Sequence, residues 1–151
     1  MIKVLASIPS SFPLAMSYFH SFGITENYMI LLEQSLQISL KSLMKGAILN
    51  KSKSDAVTTK PDQKTRIYIV DKHTGEVCCK YFFTDPLITF HHINALETFE
   101  PHFIFVDIIA YDPKFFEVND FKYKKLFTDT FLYSNQMKPT AKRIRIPYGK
   151  F

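Results

Sequence analysis

A hairpin signal in the middle of the chain limits the possible folds most. Two runs, residues 65–71 and 77–83, are rich in Ile, Val, Tyr and Phe and flank Lys72-His73-Thr74-Gly75-Glu76. β-branched and aromatic runs around a tight glycine-containing turn specify antiparallel pairing. Similar runs recur at 2–8, 16–22, 28–33, 87–95, 103–111 and 143–147, and Gly23-Ile24-Thr25-Glu26-Asn27 reads as the turn between the 16–22 and 28–33 runs. Short strands at this density predict an all-β class: a sandwich, a barrel or a propeller. No internal repeat chooses among the three. Residues 36–64 depart from the pattern. Apolar residues at helix-like spacing over 36–49, with Lys41 and Lys45 between them, precede a polar stretch over 50–64. This predicts an amphipathic insertion and loop outside the sheets. A weaker strand-like zone covers 113–139.

Composition narrows the function classes. Of 151 residues, 46% are hydrophobic and 22% charged, which suits an ordinary globular chain. Fifteen Phe and eight Tyr favour strands or an aromatic-lined cavity. Only four glycines argue against a glycine-rich phosphate loop. The formal net charge of +5 raises nucleic acid or an anionic membrane surface as partners. Its lysines and arginines are scattered, apart from Lys122, Lys124, Lys125 and Lys142, Arg143, Arg145, and no nucleic-acid motif accompanies them. A solvated surface and no nucleic-acid partner are expected. Cys78 and Cys79 are adjacent, so on a strand they face opposite ways and are poorly placed to bridge each other. With no disulfide framework, a reducing, cytoplasmic location is expected. No apolar run reaches the ~18 residues of a spanning helix. The opening residues are too interrupted by Ser and Pro for a signal peptide.

Five histidines, His20, His73, His91, His92 and His102, are the residues best suited to hold a metal such as iron. None has the i, i+4 spacing of a helical metal motif. Spacing leaves two readings open: a metal site, or an exposed turn histidine and packed strand histidines. Since His91 and His92 are consecutive on a strand, at most one can face a shared site. His20 lies in the aromatic run Ser17-Tyr18-Phe19-His20-Ser21-Phe22, and His91 follows Phe90.

Two motifs carry a resemblance. Tyr18-Phe19-His20-Ser21-Phe22-Gly23-Ile24-Thr25-Glu26-Asn27-Tyr28 resembles the His-Ser-Phe-Gly-x-Thr-x-Asn-Tyr signature of the carotenoid cleavage oxygenases. Phe90-His91-His92-Ile93-Asn94-Ala95-Leu96-Glu97 resembles that family's Phe-His-x-x-Asn-Ala/Thr-x-Glu signature. Leu32-Glu33-Gln34-Ser35-Leu36 is similar to its Glu-x-Pro-Leu step, with Ser35 where Pro is usual. Arg143-Ile144-Arg145-Ile146-Pro147 is similar to its Arg-x-x-x-Pro strand. The double histidine resembles the animal branch, which holds the carotene-cleaving oxygenases and the retinoid isomerohydrolase. Residues 8–18 are more like the cleaving enzymes.

The resemblance implies a seven-bladed β-propeller in which four histidines on inner strands bind one Fe(II), with His20 and His91 as two of them and His92 as none. It implies a carotenoid or retinoid substrate and dioxygen as co-substrate. Tyr18 and Phe90 would stand beside the substrate tunnel. Leu43, Met44, Ile48 and Leu49 would form an apolar patch that dips into a membrane surface; the competing reading is an ordinary helix packed on the propeller. Glu26 and Glu97 are expected to be structural. Members of the family are several times longer than this chain. The resemblance therefore implies that 1–151 is an internal, partial propeller domain, inactive alone. Two further readings are a non-catalytic β-rich lipid-associating module and a retinoid isomerohydrolase.

Overall fold

The structure, a computed structural model, describes residues 2–78, 82–99, 102–118 and 137–148. Among the described residues, ten strands and one α-helix make a mostly β molecule. The strands are β1 (Ala15–Ser17), β2 (Gly23–Ile24), β3 (Tyr28–Glu33), β4 (Leu36–Ser39), β5 (Val57–Thr59), β6 (Thr65–Asp71), β7 (Phe82–Thr84), β8 (Ile88–Phe99), β9 (His102–Tyr111) and β10 (Thr140–Pro147). The helix α1 spans Leu40–Ile48, and a short 3-10 turn spans Lys53–Ala56. Three antiparallel sheets result, in the orders β1-β4-β5, β2-β3-β6-β7 and β10-β9-β8.

The hairpin forms as its residues require. Asp71 accepts the backbone N–H groups of His73 and Thr74, both at 2.8 Å, which closes the turn. Gly75 sits at φ +80°, and a Cβ there would meet the Leu5 carbonyl oxygen at 2.1 Å, so the position admits only glycine. In the returning run, Val77 bridges Val70, the Cys78 N–H bonds the Ile69 carbonyl, and Phe82–Thr84 pairs with β6; residues 79–81 lie outside the described residues. Alternation builds the main core. Ile30, Leu32, Ile67 and Ile69 of one sheet pack with Ile104, Val106, Ile108, Ile144 and Ile146 of another. Each such side chain contributes roughly 1.5–3 kcal/mol on burial.

Several expectations need correcting. Residues 2–8 form no strand. Val4, Leu5, Ala6 and Ile8 instead line a cavity with Met29, Leu31 and Val70 of β3 and β6. The run at 16–22 is strand only to Ser17; the Tyr18 N–H to Leu36 carbonyl bond, at 2.8 Å, is its last backbone link to β4. His20 thus lies in the bend before β2. The 36–64 stretch is not wholly outside the sheets, because Leu36–Ser39 pairs with β1 on one side and with Val57–Thr59 on the other. Leu36 is buried and needs the sheet, while Ser39 caps the helix by accepting the Ser42 N–H at 3.2 Å. Residues 113–118 contain no strand; 119–136, with Lys122, Lys124 and Lys125, lie outside the described residues, as does Cys79.

Candidate metal and substrate site

Two chain segments run side by side to build the site. One follows β1 and holds Tyr18 and His20; the other is the start of β8 and holds Phe90 and His91. Gln34, fully buried, joins them: its Nε2 donates to the carbonyls of Tyr18 (2.6 Å) and Thr89 (3.0 Å), and its Oε1 accepts the Thr89 N–H (2.6 Å). Ser21 joins them again. Its Oγ donates to the Phe90 carbonyl at 2.7 Å and accepts the His92 N–H at 3.0 Å. Farther along, Glu97 accepts from the Asn27 N–H (2.8 Å), from Asn27 Nδ2 (2.9 Å) and from the Thr25 hydroxyl. Burial pushes the Glu97 carboxyl up, but these hydrogen bonds outweigh it and hold the group below the usual carboxylate range.

The result is a direct meeting of two histidines. The ring centres of His20 and His91 are 5.0 Å apart, with planes at 85°. Phe90 stands edge-on to His20 at 5.9 Å, and Tyr18 stacks beside it at 6.4 Å. Tyr18, His20, Leu36, Val57, Phe90, His91, Tyr111, Phe116 and Val118 line one open pocket of about 430 Å³. Phe90 and His91 are neighbours, so regular strand alternation would place them on opposite faces. A bulge allows both into the pocket: Thr89 pairs with Ala110 and His92 with Ile108, leaving two residues of β8 opposite one of β9.

His92 points elsewhere. Its Nδ1 lies 2.8 Å from Ser21 Oγ, and its Cδ2 lies 3.6 Å from where a Gly23 Cβ would stand. Burial pushes the imidazole down to about 4, so it is neutral at physiological pH. His73 is an exposed turn residue, and His102 stands edge-on to Tyr148 at 5.8 Å, outside this pocket. The helix residues Met44, Ile48 and Leu49 are exposed, Leu43 is half-buried, and only Gly46 of the helix is buried.

The residues suit a metal as a pair. Two imidazoles bound through nitrogen at ~2.1 Å, near a right angle, hold their ring centres about 4.5–5 Å apart. Among the described residues neither ring is hydrogen-bonded, so their nitrogens are open to a ligand. No group of three or more His, Cys, Asp or Glu side chains converges among those residues, and the two rings are the candidate donors found there.

Sequence reasoning missed Gln34 and the role of Ser21. One signal was available: Glu33, Gln34 and Ser35 are three consecutive polar residues, and all are buried. Such a run implies side chains that bond backbone.

A β-rich chain with paired histidines in an aromatic pocket defines the class, and comparison with known proteins identifies the family. The family model described as "Retinal pigment epithelial membrane protein" (RPE65) matches residues 3–150. The chain belongs to the RPE65/carotenoid oxygenase family. The beta,beta-carotene 15,15'-dioxygenase of Rattus norvegicus is 34% identical over 96% of this chain and 25% of its own length. The protein of the same name from Gallus gallus is 37% identical over 97% of this chain and 27% of its own. A solved apocarotenoid oxygenase of Synechocystis, in cobalt-substituted form, superposes with a TM-score of 0.61 at 25% identity, covering 87% of this chain and 25% of that one. The chain spans about a quarter of the length of these relatives.

Proposed function

We propose that this chain supplies two imidazole ligands, His20 and His91, and part of the substrate wall of a non-haem Fe(II) centre that cleaves a carotenoid double bond. The observation that carries the reading is the meeting of those two rings in an aromatic pocket. Neutral imidazole suits iron and leaves it redox-active. When bound, the iron supplies dioxygen activation and its addition across one double bond, giving two carbonyl products. The chain's own groups position and exclude water. Tyr18, Phe90, Tyr111 and Phe116 offer flat apolar faces against which a polyene can lie. No carboxylate lines the pocket, so no general base is assigned.

The remaining ligands and the seven-bladed propeller would come from parts of the parent protein beyond these residues, leaving 1–151 as a partial domain. Met44, Ile48 and Leu49, with Leu43 at the margin, would rest on a membrane surface from which an apolar substrate enters; Lys41 and Lys45 stand beside them. No helix among the described residues is long and apolar enough to cross a membrane. The reading places the chain in the cytoplasm as a peripheral membrane protein.

The test replaces the matching quarter of the rat dioxygenase with this chain and assays iron content and products. Iron loading with aldehydes from a carotenoid supports the reading. A folded, iron-free chimaera overturns it. An iron-loaded chimaera that isomerises a retinyl ester instead assigns the isomerohydrolase reaction.

A further inference from the structure

The meeting of His20 and His91 is imposed by side chains rather than by a backbone ladder. No strand pairing joins the segment 18–27 to β8. Yet hydrogen-bonded contacts keep the two in parallel at nearly constant offset: Tyr18 to Thr89 through Gln34, Ser21 to His92 at an offset of 71, and Thr25 and Asn27 to Glu97 at 72 and 70. His20 and His91 share that offset. Gln34 fixes the backbone two residues before each histidine, and the Ser21–His92 contact fixes the residue after each.

From this we infer that Ser21, His92 and Gln34 are positioning residues that set the His20 ring against the His91 ring. This inference rests on the proposed metal site for its purpose, but not for its geometry. The proton assignment follows from valence. A serine hydroxyl has one proton, and Ser21 gives it to the Phe90 carbonyl at 2.7 Å. The 2.8 Å contact with His92 must then be an Nδ1–H donated to Ser21 Oγ. Ser21 Oγ is thereby saturated, with one bond donated and two accepted. His92 Nε2 carries the bare lone pair, and it is a buried atom with no hydrogen-bond partner among the described residues. That tautomer leaves an acceptor rather than an N–H donor unmatched. Glycine at position 23 completes the approach, since a Cβ there would come within 3.2 Å of the Ala95 Cβ.

The experiment uses the metal-free chain first. Nitrogen-15 spectra should show His92 as the Nδ1–H tautomer and proton cross-relaxation between the His20 and His91 rings. Ser21→Ala should lose the cross-relaxation with its melting profile retained, and Ser21→Thr, which keeps the hydroxyl, should restore it. His92→Asn, which places an N–H near the Nδ1 position, should keep it better than His92→Gln. A Co(II) titration follows. Ser21→Ala should bind at least about 10-fold more weakly than the parent, with an altered visible spectrum, and Ser21→Thr should recover both. An Nε2–H tautomer, or ring proximity unchanged in a folded Ser21→Ala chain, overturns the inference. If Ser21→Ala does not fold, the tautomer and the His92→Asn and His92→Gln pair decide it. A parent chain that shows ring proximity but takes up no Co(II) overturns the metal reading and leaves the positioning inference standing.

Discussion

His20 and His91 lie 71 positions apart in sequence (91 − 20) and meet at 5.0 Å with nearly perpendicular rings. His20 stands in a bend and His91 within a strand bulge, so neither is placed by regular secondary structure. Both depend on side-chain contacts, and the tests below probe those contacts.

The first test concerns pH. In the native chain burial pushes the His92 imidazole down to about 4 from the ordinary 6.5. Between those values the unfolded chain takes up a proton that the native chain refuses. Stability is therefore full above about 6.5 and falls as pH drops toward 4. A fully buried ring would lose about 3 kcal/mol; partial exposure reduces this to on the order of 1–2 kcal/mol. Urea unfolding at pH 7.5 and 4.5 should show that extra loss in the parent and not in His92→Asn. Equal losses would contradict the assignment.

Glu97 gives the second. Its carboxylate holds Thr25 and Asn27, so Glu97→Ala leaves those donors unmatched and should cost about 2–3 kcal/mol. Thermal unfolding measures it. A loss below about 0.5 kcal/mol would show that the turn at 25–27 is held by other means.

These two residues also show how much the sequence disclosed. Glu97 was legible as structural, but as bonding within its own turn; its partners, Thr25 and Asn27, lie in the other motif. The strands at 28–33, 65–71 and 103–111 were legible because a period of two marks one buried face, as Ile104, Val106 and Ile108 show. Residues 2–8 have the same composition and form no strand, because composition does not say whether a backbone edge is free. The bulge at Phe90 and His91 was hidden for a related reason: it depends on register with β9, which no single strand encodes. The resemblance to a known family named both histidines, and neither Gln34 nor Ser21 stood out from it as a positioning residue.

The helix supplies a third test. Met44 and Ile48 are 71% and 83% exposed, and burying each in an apolar phase contributes roughly 1.5–3 kcal/mol. Met44→Asp with Ile48→Asp should lower sedimentation with anionic vesicles by about 10-fold or more, while leaving thermal stability within about 0.5 kcal/mol. Unchanged sedimentation would remove the membrane role from α1.

Gly23 offers a fourth. Gly23→Ala should cost about 1 kcal/mol by crowding Ala95, and Ala95→Gly in the same chain should recover part of it. Additive losses in the double variant, measured by urea unfolding, would show that the two positions do not touch.

The central claim is that His20 and His91 share one metal ion, and pulsed paramagnetic resonance of the Co(II)- or Cu(II)-loaded chain tests it most directly by counting the imidazole nitrogens coupled to the metal. The account predicts two coupled imidazoles per chain, loss of binding by about 100-fold or more in His20→Ala and in His91→Ala, and retained stoichiometry in His73→Ala and His92→Ala. Two coupled imidazoles that persist in either the His20 or the His91 variant would contradict it.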